Sequence, residues 1–266
     1  MTLKILHVSD IHIRKLKYHT EYREVFAQLY EKAAAEKPDI ILNTGDTFHT
    51  KTDLSSEAVQ MMSELFSNLA DIAPFHMILG NHDMNLRSLG RLDAISPVVD
   101  NLNHPNIHFH KYSDVISLTD DIDMHILSIV DPDNWTKTPN KKKTNIAVYH
   151  GSVKGVKTDM GWAMEHGDID ISELNKYDFA LLGDIHKTNQ MVNSNPRFRY
   201  PGSLVQQNHG ETNDKGFIVW EIENKDSYGV RHCVLENPKP FVTIILTKTG
   251  RLPKNAKVKD GARLRL

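Results

Sequence analysis

The sequence predicts an α/β protein, a two-sheet β-sandwich flanked by helices that opens β-α-β-α-β. Three observations predict it. From Lys4 to Leu79, short apolar runs alternate with segments whose apolar residues recur at helical spacing. Each of those apolar runs ends in polar residues, and the carboxyl ends of the strands are where open α/β sheets bind ligands. From Asn106 onward, apolar runs follow one another across turn residues, which is strand-and-turn patterning.

In order, Lys4 to Ser9 reads as the first strand and delivers Asp10-Ile11-His12. Tyr22, Val25, Phe26, Leu29 and Ala33 then line one face of a helix ending near Glu36, and Pro38 closes it. Asp39 to Thr44 is a second strand, followed by Gly45-Asp46-Thr47-Phe48-His49. A helix from about Ser55 to Ala70 carries Ala58, Met61, Met62, Leu65 and Leu69 on one face, suited to a core or a dimer interface. Phe75 to Leu79 is a third buried strand and stops abruptly at Gly80-Asn81-His82-Asp83. Ile107–His110, Val115–Leu118 and Met124–Val130 are expected as successive strands. Asn145 to Tyr149 ends in His150-Gly151, and Asp178 to Leu182 ends in Gly183-Asp184-Ile185-His186. Gly216–Ile222 and Tyr228–Leu235 form a hairpin across Asn224-Lys225-Asp226. Pro238 and Pro240 mark a boundary, with a strand expected from Phe241 to Leu246, so the main domain is assigned to 1–236 and a short extension to 237–266.

Composition narrows the function classes. A chain of 266 residues, 39% hydrophobic and 25% charged, has enough apolar material for one large core. No apolar run approaches the length of a membrane span, and the N-terminus enters a strand without a signal-peptide layout. The single cysteine, Cys233, excludes an intrachain disulfide, is expected as a small buried hydrophobe, and fits a reducing, cytoplasmic setting. A formal charge of −2 excludes holding nucleic acid by net charge alone and leaves room for a local basic surface. Trp135, Trp162 and Trp220 are expected as packing residues.

Five strand ends together present Asp10, His12, Asp46, Asn81, His150, Asp184 and His186. Carboxylate, amide and imidazole donors without a thiolate suit Mn²⁺, Fe²⁺ or Zn²⁺ and argue against copper or an iron–sulfur cluster. Seven donors are too many for one ion and about right for two, the number that clamps a phosphoryl group and activates a water. His82 is the natural unliganded imidazole to protonate a leaving oxygen, with Asp83 expected to hold its ring by a hydrogen bond.

Asp10-x-His12, Gly45-Asp46, Gly80-Asn81-His82-Asp83, His150-Gly151 and Gly183-x-x-His186 resemble, in order, the motif set of the calcineurin-like metallophosphoesterases. The resemblance implies one ion on Asp10, His12 and His186, a second on Asn81, His150 and residue 184, and Asp46 bridging both. The family's last motif usually reads Gly-His-x-His, so Asp184 is a departure, expected to keep the site with more negative charge.

Gly45-Asp46-Thr47-Phe48-His49 is further similar to the motif of the SbcD-type, or Mre-eleven-type, DNA repair nucleases, as is Tyr200-Pro201-Gly202-Ser203 followed by Gly210-Glu211 and Lys215-Gly216-Phe217. This branch implies a catalytic role for His49 beside His82, and DNA contacts from the wall around Tyr200 and Ser203. Arg87, which follows the central motif, is a further candidate for phosphate contact. It also implies Mn²⁺-dependent cleavage of duplex ends and single strands, with Mg²⁺, Fe²⁺ or Zn²⁺ as alternative ions. A homodimer and an SbcC-type, SMC-like ATPase partner go with that branch, and 237–266 would begin a capping domain, truncated or rudimentary. Such a protein works at the nucleoid, or in the host cytoplasm if phage-encoded. The competing expectations are a phosphodiesterase or phosphatase on a non-DNA substrate, and a non-catalytic DNA-end or partner-binding subunit with a degenerate metal site.

Overall fold

Alternation along each strand decides the layering, because successive side chains of a strand point to opposite faces. In β1 (Leu3–Val8), Leu3 and Ile5 enter one buried cluster while Leu6 and Val8 enter another. The same split recurs in β2 (Ile40–Asn43), where Ile40 and Leu42 part from Ile41. A sheet apolar on both faces needs a cover on each, and the chain supplies helices on one side and a second sheet on the other. The computed structural model describes every residue except Met1, Asp53, Asn255 and Lys257.

The first sheet runs β12-β11-β1-β2-β3-β4, with β3 at Phe75–Ile78, β4 at Ile107–His110, β11 at Gly216–Ile222 and β12 at Tyr228–Val234. Strands β1 to β4 are parallel, and β11 returns antiparallel to β1, pairing Ile5 with Trp220. Helices α1 (His19–Glu36) and α2 (Ser56–Ile72) cover its outer face. Met61, Met62 and Leu65 of α2 are buried there, so they serve the core. The second sheet runs β5-β6-β7-β8-β10-β9, with β5 at Asp114–Thr119, β6 at Ile122–Leu127, β7 at Thr144–His150, β8 at Phe179–Gly183, β9 at Gln190–Val192 and β10 at Asn195–Tyr200. Its inner face meets the first sheet through Met124, Ile126, Val148 and Phe179 against Ile5, Leu42 and the fully buried Trp220. Loops, not long helices, cover its outer face, with Leu174, Tyr177 and Ile185 packed on Ala180, Leu182 and Phe198.

This is the expected architecture, with local corrections. The strand expected over 124–130 is β6, Ile122–Leu127, and it stops because the Ser128 hydroxyl takes over the hydrogen bonding, donating to the Lys111 carbonyl and accepting from Val130 N–H. The strand expected over 241–246 is only β13 (Phe241–Thr243), paired with β14 (Arg263–Arg265). That small sheet is tied to the main body where Arg263 meets the buried Glu21 at 2.7 Å and Phe241 stacks edge-on with His209. Trp162 is 66% exposed and packs no core, since it lies in a loop rather than on a strand. Cys233 is half-buried, its sulfur 3.1 Å from the Arg231 guanidinium.

Helix α3 (Ser96–Leu102) carries too few residues to show a period, and its cause is Asp93. That carboxylate accepts from Ile95 and Ser96 N–H, from the Ser96 hydroxyl, and from Lys111 Nζ at 2.8 Å, which joins the helix start to the end of β4. Burial is the largest single influence on Asp93 and raises its pKa, but Lys111 and Ser96 outweigh it and hold the carboxyl below its usual range. A depressed folded-state pKa means stability that is present above the unfolded carboxyl value, about 3.9, and lost as pH falls through the folded value. Asp93→Asn is therefore expected to lose about 1–3 kcal/mol at pH 7 in urea unfolding. The gap to wild type should narrow below about pH 4; a gap independent of pH would contradict the assignment.

Candidate metal centre

Every donor stands at or just beyond the C-terminal end of a parallel strand. Asp10 and His12 follow β1, Asp46 follows β2, Asn81 follows β3, His150 ends β7, and Asp184 and His186 follow β8. Four of these residues hold a positive φ: Asp10 at 50°, His12 at 49°, Asp46 at 55° and Asp184 at 103°. Non-glycine residues seldom adopt that backbone, and such strain persists only where the surroundings over-determine it. Two glycines let the turns nest. A Cβ at Gly80 would sit 2.1 Å from Asp46 Oδ1, and one at Gly183 would sit 2.3 Å from the Thr44 carbonyl.

Three histidines are aimed by what their Nδ1 atoms touch. A carbonyl or carboxylate only accepts, so Nδ1–H donates to Phe48 O from His12 (3.3 Å), to Thr44 O from His150 (2.7 Å) and to Glu211 from His186 (2.9 Å). In its neutral tautomer each ring therefore presents a bare Nε2 to the centre, the arrangement of a metal-ligating histidine with its outer partner. The Nε2 atoms of His12 and His186 lie 2.9 Å apart, and Asp10 Oδ1 lies 3.8 Å from both. Asp46 divides its oxygens, Oδ2 being 3.6 Å from His12 and Oδ1 3.4 Å from His150. Asp184 Oδ1 is 3.9 Å from His150 and accepts from the Asn81 amide at 3.3 Å.

The residues fit two cations. Asn81 Oδ1 and His150 Nε2 are buried without a hydrogen-bond partner, and lone pairs left bare in an interior are what an ion would satisfy. Asp10, His12 and His186 converge within 4.8 Å, as do Asp10, Asp46 and His150. Burial, the largest influence on His150, opposes its charge, yet Asp46, Asp10 and Asp184 raise its pKa well above the usual value. The buried carboxylates thus draw positive charge to the place where an ion would supply it. Burial raises Asp184 to about 6 against the pull of His150.

The remaining expected residues divide. His49 and His82 join His12 in a third convergent group, and the His82 Nδ1–H donates to the His49 carbonyl at 2.7 Å. Asp83 does not hold the His82 ring. It is fully buried, and its two oxygens accept the N–H groups of Asp46, Thr47, Phe48 and Gly80, so it fixes two turns instead. Tyr200 and Ser203 are not available to DNA, because both are fully buried. The Tyr200 hydroxyl donates to Gly151 O and accepts from Val153 N–H, pinning the turn that carries His150. Ser203 donates to Glu211. Arg87 is exposed and lines a cavity of about 450 Å³ with Lys51 and His82.

Glu211 had no assigned role in the sequence and acquires one here. It accepts from His186, Ser203 and Gln207 N–H, and the buried Lys215 lies 3.4 Å away, itself paired with Asp159 at 3.0 Å. Burial pushes its pKa up, but His186 and Lys215 overcome this and hold it at about 2. The signal available in the sequence was the Glu-x-x-x-Lys spacing behind the last histidine motif. Glu211→Gln should weaken metal binding about 10- to 100-fold in calorimetric titration with Mn²⁺. Unchanged affinity would show that His186 needs no such support.

Comparison with known proteins places this geometry. The model of the calcineurin-like phosphoesterase family matches residues 3–188. An uncharacterized protein of Acanthamoeba polyphaga mimivirus is 38% identical over 237 residues, which cover 84% of this chain and 18% of that protein. The DNA double-strand break repair protein Mre11 of Saccharolobus solfataricus is 28% identical over 203 residues, 69% of this chain and 49% of its own. The chain thus spans less than half the length of either relative. A dimetal phosphatase from Danio rerio shares the fold, with a TM-score of 0.53 at 10% identity, over 88% of this chain and 99% of that one. The family match runs from the first strand through the last histidine of the cluster, and on that ground the chain belongs to the calcineurin-like phosphoesterase family.

Proposed function

We propose that this metal-dependent phosphoesterase is a DNA nuclease of the SbcD and Mre-eleven type, acting on duplex ends and single strands with Mn²⁺. The observation that carries the reading is the Gly45–His49 turn, which sets His49 beside the metal cluster and uses its own carbonyl to hold the His82 ring. The two rings stack with centroids 6.0 Å apart. The distant likeness to archaeal Mre11 supports the same reading.

Two divalent ions would supply charge neutralisation at the phosphoryl group and a water acidic enough to attack at neutral pH. Asp10, His12 and His186 would hold one, Asn81 and His150 the other, with Asp46 between them and Asp184 beside the second. The protein's own part is proton transfer and positioning. His82 is anchored through Nδ1, which leaves Nε2 to deliver a proton to the departing oxygen. Asp46 accepts the His82 N–H at 2.8 Å, so the proton donor and the donor set share one support. Lys51 and Arg87 line the cavity that also holds His82, a cationic approach for a phosphodiester chain. A homodimer and an SbcC-type ATPase partner belong to this reading, as does an intracellular, nucleoid-associated setting. Among the described residues no helix is long and apolar enough to cross a membrane.

The test uses end-labelled duplex and single-stranded DNA with Mn²⁺, Mg²⁺ or chelator. Cleavage should require the ion, and His82→Asn should lower kcat about 10²- to 10⁴-fold with metal content retained. Hydrolysis of a small phosphodiester without any DNA cleavage would reject the nuclease reading and keep the phosphoesterase.

A further inference from the structure

Two cavities meet at Asn81 and Leu86, and their charges are opposite. The one reaching toward His82 carries Lys51 and Arg87. The other, about 630 Å³, has His150 at its inner end, and the charged residues lining it are three aspartates and a glutamate with no lysine or arginine. Asn81 and His150, two of the candidate donors, both line it, so this second cavity borders the metal cluster. A phosphate entering it would meet like charge on every side. Whatever part of a substrate occupies it is uncharged or bears hydrogen-bond donors.

Its wall is aromatic and fixed. Trp135 donates Nε1–H to the Ser128 carbonyl at 2.8 Å and meets the Tyr149 ring edge-on with centroids 5.3 Å apart. Asp133 lies on the same short turn, Pro132–Asn134, immediately before Trp135. The other carboxylates are engaged: Asp168 with Ser152, Asp170 with Ser172 N–H, and Glu173 with Lys176. Among the described residues Asp133 has no hydrogen-bond or ion-pair partner.

We propose that this cavity is a base subsite, taking one unstacked nucleobase next to the scissile phosphate, stacked on Trp135 with its exocyclic amino group donated to Asp133. The subsite rests on the nuclease reading above and adds a specificity to it. Adenine, cytosine and guanine carry such an amino group, whereas thymine flanks its one ring N–H with two acceptor oxygens that repel a carboxylate. Insertion of a base also requires that it be unpaired, which favours single strands and frayed ends over intact duplex. The phosphate chain is left on the Lys51 and Arg87 side, so the two cavities together orient the strand across the metal pair.

Cleavage positions mapped on an end-labelled single-stranded oligonucleotide of mixed sequence, with Mn²⁺, test this. Wild type should cut where one fixed neighbour of the scissile bond is A, C or G, and seldom where it is thymine. Asp133→Ala, which removes the acceptor, should lower cleavage at the amino-bearing bases toward the thymine rate. Trp135→Ala should reduce kcat/KM about 5- to 150-fold, the span of base–aromatic stacking, while Trp135→Phe keeps most of it and so separates stacking from misfolding. An even ladder, unaltered by Asp133→Ala and Trp135→Ala, would overturn the base subsite and leave the nuclease standing. No cleavage at any position would remove both.

Discussion

The Asp83 carboxylate is the constraint on which the rest of this site depends. Its two oxygens collect four backbone N–H groups, from Asp46, Thr47, Phe48 and Gly80. Those groups belong to two turns that leave neighbouring parallel strands and that nothing in the sheet ladder would hold together. Once they are gathered, Asp46 is locked in its left-handed backbone, and its side chain lies between His12 and His150. His82 N–H then finds Asp46 Oδ1, and the Phe48 carbonyl faces His12. A fully buried carboxylate is costly to maintain; burial, then the Asp46 charge, raises its pKa, while the four donors favour its ionised form. No metal-facing atom belongs to Asp83, yet Asp46 and His82 both inherit their positions from it.

The second support reaches the site from the opposite end of the chain. Lys215 is 2% exposed and lies between Glu211 and Asp159, while its Nζ also donates to the His186 carbonyl at 2.7 Å. His186 is thereby held at both its backbone and its ring. Buried charges of this kind stabilise little by themselves, because desolvation offsets the attraction. What they contribute is direction: a ring that would otherwise rotate is fixed with Nε2 toward Asp10 and His12. Tyr200 does the same for the His150 turn without any charge.

Much of this was legible in the sequence, and the legible part has a common physical basis. Strands β1, β2, β3, β7 and β8 are short, apolar and end in polar residues, so pattern alone located these strands and the polar residues at their ends. The misses share a basis too. Asp83 adjoins His82, and proximity in sequence suggested that it holds that ring, while Tyr200 and Ser203 were assigned to DNA from the motif they form. Their actual partners lie on other segments: backbone groups 36 residues away for Asp83 with Thr47 and 49 for Tyr200 with Gly151, and the Glu211 carboxylate for Ser203. Such pairings depend on how loops from separate strands cross, which no local pattern records. Helix α3 was hidden for a simpler reason, since one capping carboxylate and not an apolar stripe defines it.

Asp184 draws these lines together. Its φ of 103° is the most extreme among the donors, and its N–H donates to both oxygens of Asp10, so the backbone at this position is fixed whatever side chain it carries. An imidazole there would bring a neutral donor; the carboxylate brings a charge into a cluster that already contains Asp10 and Asp46. The neighbours respond in the sense that charge requires, with the Asn81 amide turned to donate toward Asp184 and His150 drawn toward protonation. Each position would then have one carboxylate of its own, Asp10 or Asp184, besides the shared Asp46, and both are short of positive charge. Hard divalent ions satisfy that shortage best, since carboxylate oxygen is their preferred donor and each added anion strengthens their hold. The substitution therefore shifts the balance between the two positions without dismantling either, because the scaffold that places them is backbone and not residue 184.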